Sequence, residues 1–373
     1  MLPALGSGGV ERGTVEIAAA ITAAGGRALV ASEGGRLAPA IEAAGGLHVT
    51  LPLASKQPWR IWRNAAALAT LIRRERVGIV HARSRAPAWS AWLAARRTGA
   101  HFVTTYHAPY AENAPGKRRY NAVMAKGELV IAISHTIAGL VAARHGVDPA
   151  RIRTIPRGVD PVAFDPKGVS ADRLQRLAAA WRLDDAQEVI LLPARLTRWK
   201  GQAVLIEALS RLARRDVVAV LVGGDGGRRG YVRELTRLAE RLGVADRVRL
   251  VGDCDDMPAA FMLAAVAVNA SLEPEGFGRV VIEAQAMARP VIATGHGGAA
   301  ETIEHGVTGW LVPPADPLTL AEALDYALAL PPEARAAFGA RARQAVMARY
   351  TVSAMQAATV AVYRELTAVD AAA

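Results

Sequence analysis

The chain has 373 residues, 52% of them hydrophobic, and its 45 Lys and Arg against 34 Asp and Glu leave a net charge of +11. It is too apolar for a disordered chain and long enough for two domains with separate cores. The lone cysteine, Cys254, allows no intrachain disulfide and suits a reducing compartment. No apolar run reaches bilayer length, and residues 1–6 lack the features of a secretory signal, so a cytoplasmic protein is expected.

Charge is unevenly shared. Residues 1–165 hold 21 Lys and Arg against 10 Asp and Glu, whereas residues 166–373 hold 24 of each. The surplus in the first half points to an anionic partner: a membrane surface, nucleic acid or a phosphorylated substrate.

In chain order, the Gly-rich stretch Gly6-Ser7-Gly8-Gly9-Val10-Glu11-Arg12-Gly13 precedes the first expected helix and can admit a phosphate or sugar to its N-terminus. A glycine cluster alone says little. Short β-branched runs at 28–32, 77–82, 101–106 and 129–134 read as buried parallel strands, with helical patterns near 14–24, 36–44, 60–75, 88–98 and 135–145. His107 stands just past the third of these strands. Pro, Gly and Asp crowd residues 158–168, which marks the domain boundary. Beyond it a helix over 171–182 precedes strands at 189–193, 217–222, 248–251, 266–270, 290–293 and 309–312. A last helix covers 351–369. Strand and helix alternate through both halves, so the expected fold is α/β with two doubly wound parallel sheets. The expected domains are 1–166 and 167–350.

Two constellations in the second half carry chemistry. Leu192-Pro193-Ala194-Arg195-Leu196-Thr197-Arg198-Trp199-Lys200-Gly201 puts Arg195 at a strand's carboxyl end and Lys200 at the start of the next helix. Open α/β sheets bind ligands at strand ends, and two cations there suit a diphosphate. Cations in loops are often only solvated surface charges. Glu273-Pro274-Glu275-Gly276-Phe277-Gly278 follows another strand and opens a helix that carries Glu283. Its glycines let backbone amides approach an anion, and the carboxylates Glu275 and Glu283 can accept hydrogen bonds from a polyhydroxylated ligand. The plainer reading is a Gly-rich turn with surface glutamates.

Taken together and in this order, Gly8-Gly9, His107, Arg195 with Lys200, and Glu275-Gly-Phe-Gly-x4-Glu283 resemble the retaining GT-B glycosyltransferases of family four, over nearly the whole chain. Ser134 and Gly297-Gly298 with Glu301 are looser matches. The resemblance implies two facing Rossmann-like domains with a nucleotide-diphosphate sugar in the cleft between them, and the last helix packed back on the N-terminal domain. It also implies that Arg195 and Lys200 hold the diphosphate, and that Glu283 contacts the ribose. Glu275 and the Gly276–Gly278 segment, Phe277 included, would approach the donor sugar and phosphate, with His107 reaching the sugar. Gly8 and Gly9 would lie near the phosphates or the acceptor entry. No cofactor or metal is expected, because fixed cations and amide dipoles can stabilise the leaving diphosphate.

Three features depart from the pattern. Asp253-Cys254-Asp255 has the Asp-x-Asp form of a metal site but reads better as a loop. Arg157 stands where the family often has Asn. The resemblance places a first strand ahead of the Gly-rich loop, where only residues 1–5 stand; either that strand is a stub or the chain begins late.

Trp59, Trp62, Trp89 and Trp92 fall among a dense set of arginines, the composition of an interfacial membrane patch. The alternative is an ordinary helix whose core face is Ile61, Leu68 and Ile72. A lipid-linked or glycan acceptor, as in lipopolysaccharide or other envelope glycan assembly, and peripheral attachment to the inner membrane face fit the former. A nucleotide-sugar 2-epimerase of the same fold is the alternative enzyme. Nucleic-acid binding is not expected, since no recognition motif accompanies the basic charge.

Overall fold

A computed structural model describes residues 1–6 and 8–372; Ser7 of the Gly-rich stretch lies outside the described residues. The chain divides into two compact units. The first is Met1–Pro156 together with the helix that begins at Val352, and the second is Arg157–Thr351.

Unit 1 contains β1 (Leu29–Ser32), β2 (Leu47–Thr50), β3 (Ile79–Ala82), β4 (His101–Tyr106), β5 (Leu129–Ala132) and β6 (Ile152–Thr154). Among the described residues these form two separate parallel sheets, β1-β2 and β3-β4-β5-β6. The Val352–Ala372 helix packs Met355, Val362 and Leu366 against Ile17, Val103, Leu129, Ile131 and Ile155. Burial on both faces explains why β5, Leu129–Ala132, runs apolar without alternation, whereas the equally buried β4 carries Thr104 and Thr105 within the sheet.

Unit 2 contains β7 (Glu188–Pro193), β8 (Val217–Val222), β9 (Val248–Gly252), β10 (Ala264–Asn269), β11 (Val291–Thr294) and β12 (Trp310–Val312). They form one parallel sheet in the order β12-β11-β10-β7-β8-β9. The chain starts at β7, builds outward through β8 and β9, then returns to the other side of β7 for β10, β11 and β12. Its topological switch point therefore lies between β7 and β10, where sheets of this kind open a crevice at the strands' carboxyl ends. Every residue of β8 is buried, so its Val-rich run has nothing polar to alternate with.

Several sequence expectations shift. The first helix spans Gly9–Ala23, not 14–24: Gly8 is its N-cap and Glu11 lies in its first turn, so Gly9 and Gly13 are helical rather than part of a preceding loop. The strand expected to run to residue 134 stops at Ala132. Ser134 instead caps the His135–His145 helix, its Oγ accepting from the Ile137 amide at 3.1 Å. Neither β2 nor β6 is visible in the sequence pattern. β2 is half exposed and β6 has three residues, too few to establish a period.

Candidate functional site

The site grows from the carboxyl ends of β7, β10 and β11. After β7 the chain passes Arg195, makes a single 3-10 turn over Arg198–Lys200, and reaches Gly201 at φ +73° before the Gln202–Arg211 helix. A Cβ on Gly201 would lie 1.9 Å from the Ala270 carbonyl oxygen, so only glycine lets this loop meet the end of β10. The Leu272 amide then donates to the Trp199 carbonyl at 2.7 Å, tying the two loops together.

This contact sets Lys200 against Glu275. The ammonium Nζ lies 2.6 Å from Glu275 Oε1, with both side chains largely buried. Glu275 also accepts from Ser271 Oγ and from the Asn269 side chain. Burial pushes its carboxyl upward, but the Lys200 charge and the hydrogen bonds from Lys200, Ser271 and Asn269 outweigh that and hold it below the ordinary carboxylate range. The carboxylate is accordingly ionised at neutral pH. Arg195 is exposed at the same strand end, with its backbone carbonyl accepting from Gln202 Nε2 at 3.0 Å.

The second and third loops lock by backbone contact. Gly278, at φ +78°, is the N-cap of the Arg279–Ala286 helix, and a Cβ there would come within 2.6 Å of Ala299 Cβ. Gly297 after β11 approaches Glu275 so closely that a Cβ would lie 2.7 Å from its backbone N, and one on Gly298 would lie 2.3 Å from the Gly276 carbonyl. The Gly298 amide donates to the Glu275 carbonyl at 2.9 Å. Glu283 sits on the helix with Arg279 Nε 3.3 Å from its Oε1. The result is a strand-end rim carrying Arg195, the Lys200–Glu275 pair, the start of a helix and Glu283.

Two expectations are narrowed. Phe277 is 4% exposed and packs edge-on against Tyr350, ring centroids 5.7 Å apart, so its ring supports the loop from within rather than presenting itself to a donor. Lys200 is not a lone cation awaiting a phosphate but half of an ion pair. The Asp253-Cys254-Asp255 stretch is a loop, as its sequence suggested: Asp253 accepts from the Gly224 amide at 2.7 Å, and Asp256, which follows Asp255, caps the Met257–Leu263 helix and pairs with Arg173 at 2.6 Å. In unit 1, His107 follows β4 and is partly buried, while Gly8 and Gly9 are exposed at the helix start.

Sequence reasoning missed Asn269, Ser271 and His296. His296 Nε2 meets the Ser271 carbonyl at 2.8 Å, which braces the loop that holds Glu275. The available signal was a polar pair, Asn269 and Ser271, directly at the end of an otherwise apolar strand.

On the surface of unit 1, Trp59 and Trp62 are each 58% exposed. The guanidinium of Arg60 lies 5.0 Å from the Trp59 ring centre and that of Arg97 lies 4.9 Å from the Trp62 ring centre. Farther along the same Pro58–Glu75 helix, Ala65, Leu68, Ala69 and Ile72 are buried. Among the described residues, no helix is long and apolar enough to cross a membrane.

Two units with parallel α/β sheets, one of them with a rim of cations and carboxylates at its switch point, place that rim where open sheets of this kind hold ligands. Comparison makes the class specific. Residues 7–162 match glycosyltransferase family 4 and residues 175–345 match glycosyl transferases group 1. The chain belongs to this family of glycosyltransferases. A glycosyltransferase of Rickettsia africae, known by crystal structure, is 34% identical, covers 98% of each chain and superposes with a TM-score of 0.91. The D-inositol 3-phosphate glycosyltransferase of Salinispora tropica is 34% identical over 278 residues, 68% of this chain and 56% of its own length. That of Xylanimonas cellulosilytica is 35% identical over 280 residues, 71% of this chain and 67% of its own. The chain thus spans little more than half to two thirds of these curated relatives. The Anabaena HepE protein, solved in complex with UDP, shares the GT-B fold at a TM-score of 0.84 and 24% identity, covering 98% of this chain and 99% of its own.

Proposed function

We propose that the protein transfers a sugar from a nucleotide-diphosphate donor to a hydroxyl acceptor, with retention of configuration and without a metal. The observation that carries this reading is the Lys200–Glu275 pair, on loops that follow the adjacent strands β7 and β10, with Arg195 in the same β7 loop as Lys200. Breaking the glycosyl–phosphate bond leaves growing negative charge on the diphosphate. Arg195, Lys200 and the amides opening the Arg279–Ala286 helix are the groups we assign to that charge. Glu275 keeps Lys200 oriented and offers oxygen acceptors to sugar hydroxyls, and Glu283 takes the ribose hydroxyls. The acceptor oxygen attacks the anomeric carbon from the face the phosphate leaves, and the departing phosphate oxygen takes its proton. His107, Gly8 and Gly9 complete the donor assignment on the family's pattern.

We also place the protein at an anionic membrane surface, through the exposed Trp59 and Trp62 with their arginines, with a lipid-linked or glycan acceptor of the cell envelope as substrate. The relatives named for inositol 3-phosphate favour an acceptor that is itself a phosphorylated polyol or carries one. Thermal shift against UDP, GDP, ADP and their sugar conjugates, with and without EDTA, tests the donor assignment. One nucleotide class should raise the unfolding midpoint equally in both conditions and lose the effect in Arg195→Ala. No shift from any nucleotide sinks the donor reading, an EDTA-sensitive shift sinks metal independence, and conversion of the sugar nucleotide with no acceptor present replaces transfer with epimerisation. Pelleting with anionic but not neutral vesicles at low salt is expected, and equal pelleting overturns the membrane assignment.

A further inference from the structure

The Arg229–Arg241 helix joins β8 to β9 and turns Tyr231, Leu235 and Ala239 into the core of unit 2. Two residues out of step with them, and so on the opposite side, stand Arg229, Arg233, Arg237 and Arg241, all four exposed. They form one ridge of guanidinium groups, about 6 Å apart along the axis and about 18 Å long. Like charges at this spacing weaken a helix, and elsewhere the chain sets an acid one turn from an exposed arginine, as Asp172 stands 2.6 Å from Arg176. Among the described residues no ion pair involves the four arginines: Glu234 turns aside to Arg198, and Glu240 pairs with none of them. Residues 166–373 carry 24 Lys and Arg against 24 Asp and Glu, so the ridge is a local concentration of charge in a balanced half.

One end of the ridge meets the rim. Because β8 and β9 are parallel, the helix between them runs from the strands' carboxyl ends back to their amino ends, which sets Arg229 near the rim and Arg241 farthest from it. The Gly224 carbonyl, just past β8, accepts from the Leu196 amide at 3.0 Å, so the loop leading into the helix lies against the loop of Arg195 and Lys200. Beside them opens a pocket of about 480 Å³ walled by Arg198, Trp199, Arg228, Tyr231 and Glu273. The Arg198 guanidinium stands 5.2 Å from the Tyr231 ring centre, and the Lys200 ammonium 4.3 Å from that of Trp199. Aromatic rings bordered by guanidinium and carboxylate groups suit a sugar, whose apolar face rests on a ring while its hydroxyls find donors and acceptors.

We propose that pocket and ridge together hold one ligand, an acidic glycan whose sugar units carry carboxylates, with its end sugar in the pocket beside Lys200 and the units behind it laid along the arginines. The assignment rests on the transfer proposed above and makes the acceptor an acidic saccharide chain. A guanidinium fork pairs with a planar carboxylate through two parallel hydrogen bonds, and the ridge offers guanidinium alone, whereas the rim assigned to phosphate combines Arg195 with Lys200 and the amides of a helix start. Among the described residues no large apolar side chain is exposed between Arg229 and Arg241, unlike Trp59 and Trp62 in unit 1. A single line of charges without apolar anchors fits a chain laid along it better than a bilayer.

The test is fluorescence anisotropy at low salt with a labelled galacturonic-acid oligomer long enough to span the ridge, against poly-glutamate and single-stranded DNA of equal charge. The oligomer should bind, and added salt should weaken it. Replacing Arg233→Ser and Arg237→Ser together should weaken binding about tenfold, while the thermal midpoint stays level or rises because two like charges leave the ridge. Poly-glutamate should bind at least about threefold less tightly than the oligomer, and Trp199→Ala should erase that difference. No binding of the oligomer, unchanged binding in the double variant, or equal affinity for poly-glutamate overturns the proposal, and tighter binding of the DNA replaces it with a nucleic-acid surface. Arg195→Ala should abolish the nucleotide-induced thermal shift and leave oligomer binding unchanged, so failure of the donor reading and failure of the ridge are read apart.

Discussion

At Glu275 two opposing influences meet within one side chain. Desolvation favours the neutral acid, and Lys200, Ser271 and Asn269 favour the carboxylate strongly enough to win. Removing Lys200 leaves that carboxylate buried without its counter-charge. Lys200→Ala should therefore cost about 3 kcal/mol of stability, read from urea unfolding, as well as weakening nucleotide binding. A loss below about 1 kcal/mol would mean the pair is solvent-relaxed. Because the folded carboxyl lies below its unfolded value of 4.5, the stabilisation is present above that pH and is lost as pH falls through the folded value. Glu275→Gln should accordingly show a shallower acid limb in urea midpoint against pH, and an unchanged limb contradicts the assignment. Met1 adds a dependence of the same sign at higher pH: its amine is lowered from 8.0 to about 5, so the unfolded chain binds a proton first as pH falls. Stability should then decline from pH 8 to pH 7, above the histidine range, by up to about 1.4 kcal/mol per pH unit.

At the scale of elements, the rim depends on backbone contacts that no side chain reports. Gly201 and Gly243 have similar positive φ, +73° and +66°, yet a Cβ on Gly201 strikes the Ala270 carbonyl at 1.9 Å while one on Gly243 meets nothing within 4 Å. Gly243→Ala should cost about 1 kcal/mol, the conformational term alone, and Gly201→Ala clearly more, because the loop after β7 must move off β10. Equal losses in chemical denaturation would show that the loops are not locked. The same contrast explains what could be read in the sequence. β7, β8, β10 and β11 were legible because strands buried on both faces are nearly continuous Val, Ile, Leu and Ala. Arg195, Lys200, Glu275 and Glu283 were legible because spacing from a strand end is a one-dimensional property. The Lys200–Glu275 pairing was not, since it spans 75 residues and depends on Gly201 reaching Ala270. The direction of the Phe277 ring was hidden for a related reason, since its packing on Tyr350 joins residues far apart in the chain. The half-exposed β2 and the three-residue β6 hold too little pattern to be seen at all.

At the scale of the whole molecule, the two units differ in how the chain builds them. Unit 2 is one continuous stretch, Arg157–Thr351, whereas unit 1 needs the helix beginning at Val352 to return to it. That helix contributes Met355, Val362 and Leu366 to the core of unit 1, each nearly fully buried, at roughly 1.5–3 kcal/mol apiece. It also supplies the Tyr363 hydroxyl to His81 Nδ1 at 2.7 Å, the Gln356 amide to the Glu16 carbonyl at 2.7 Å, and Glu365 to Arg153. Their sum is comparable with the total stability of a typical domain, so unit 1 should not survive without them. Ending the chain after Thr351 should unfold unit 1 while leaving unit 2 folded, because its six strands and both of its apolar clusters lie within 157–351. Limited proteolysis of the shortened chain should leave a resistant fragment close to 157–351, and that fragment should keep any nucleotide-induced thermal shift carried by Arg195, Lys200 and Glu283. Loss of protection in both halves together would show that unit 2 needs its neighbour to fold. Protection of both would show that the core contributed by the last helix is dispensable.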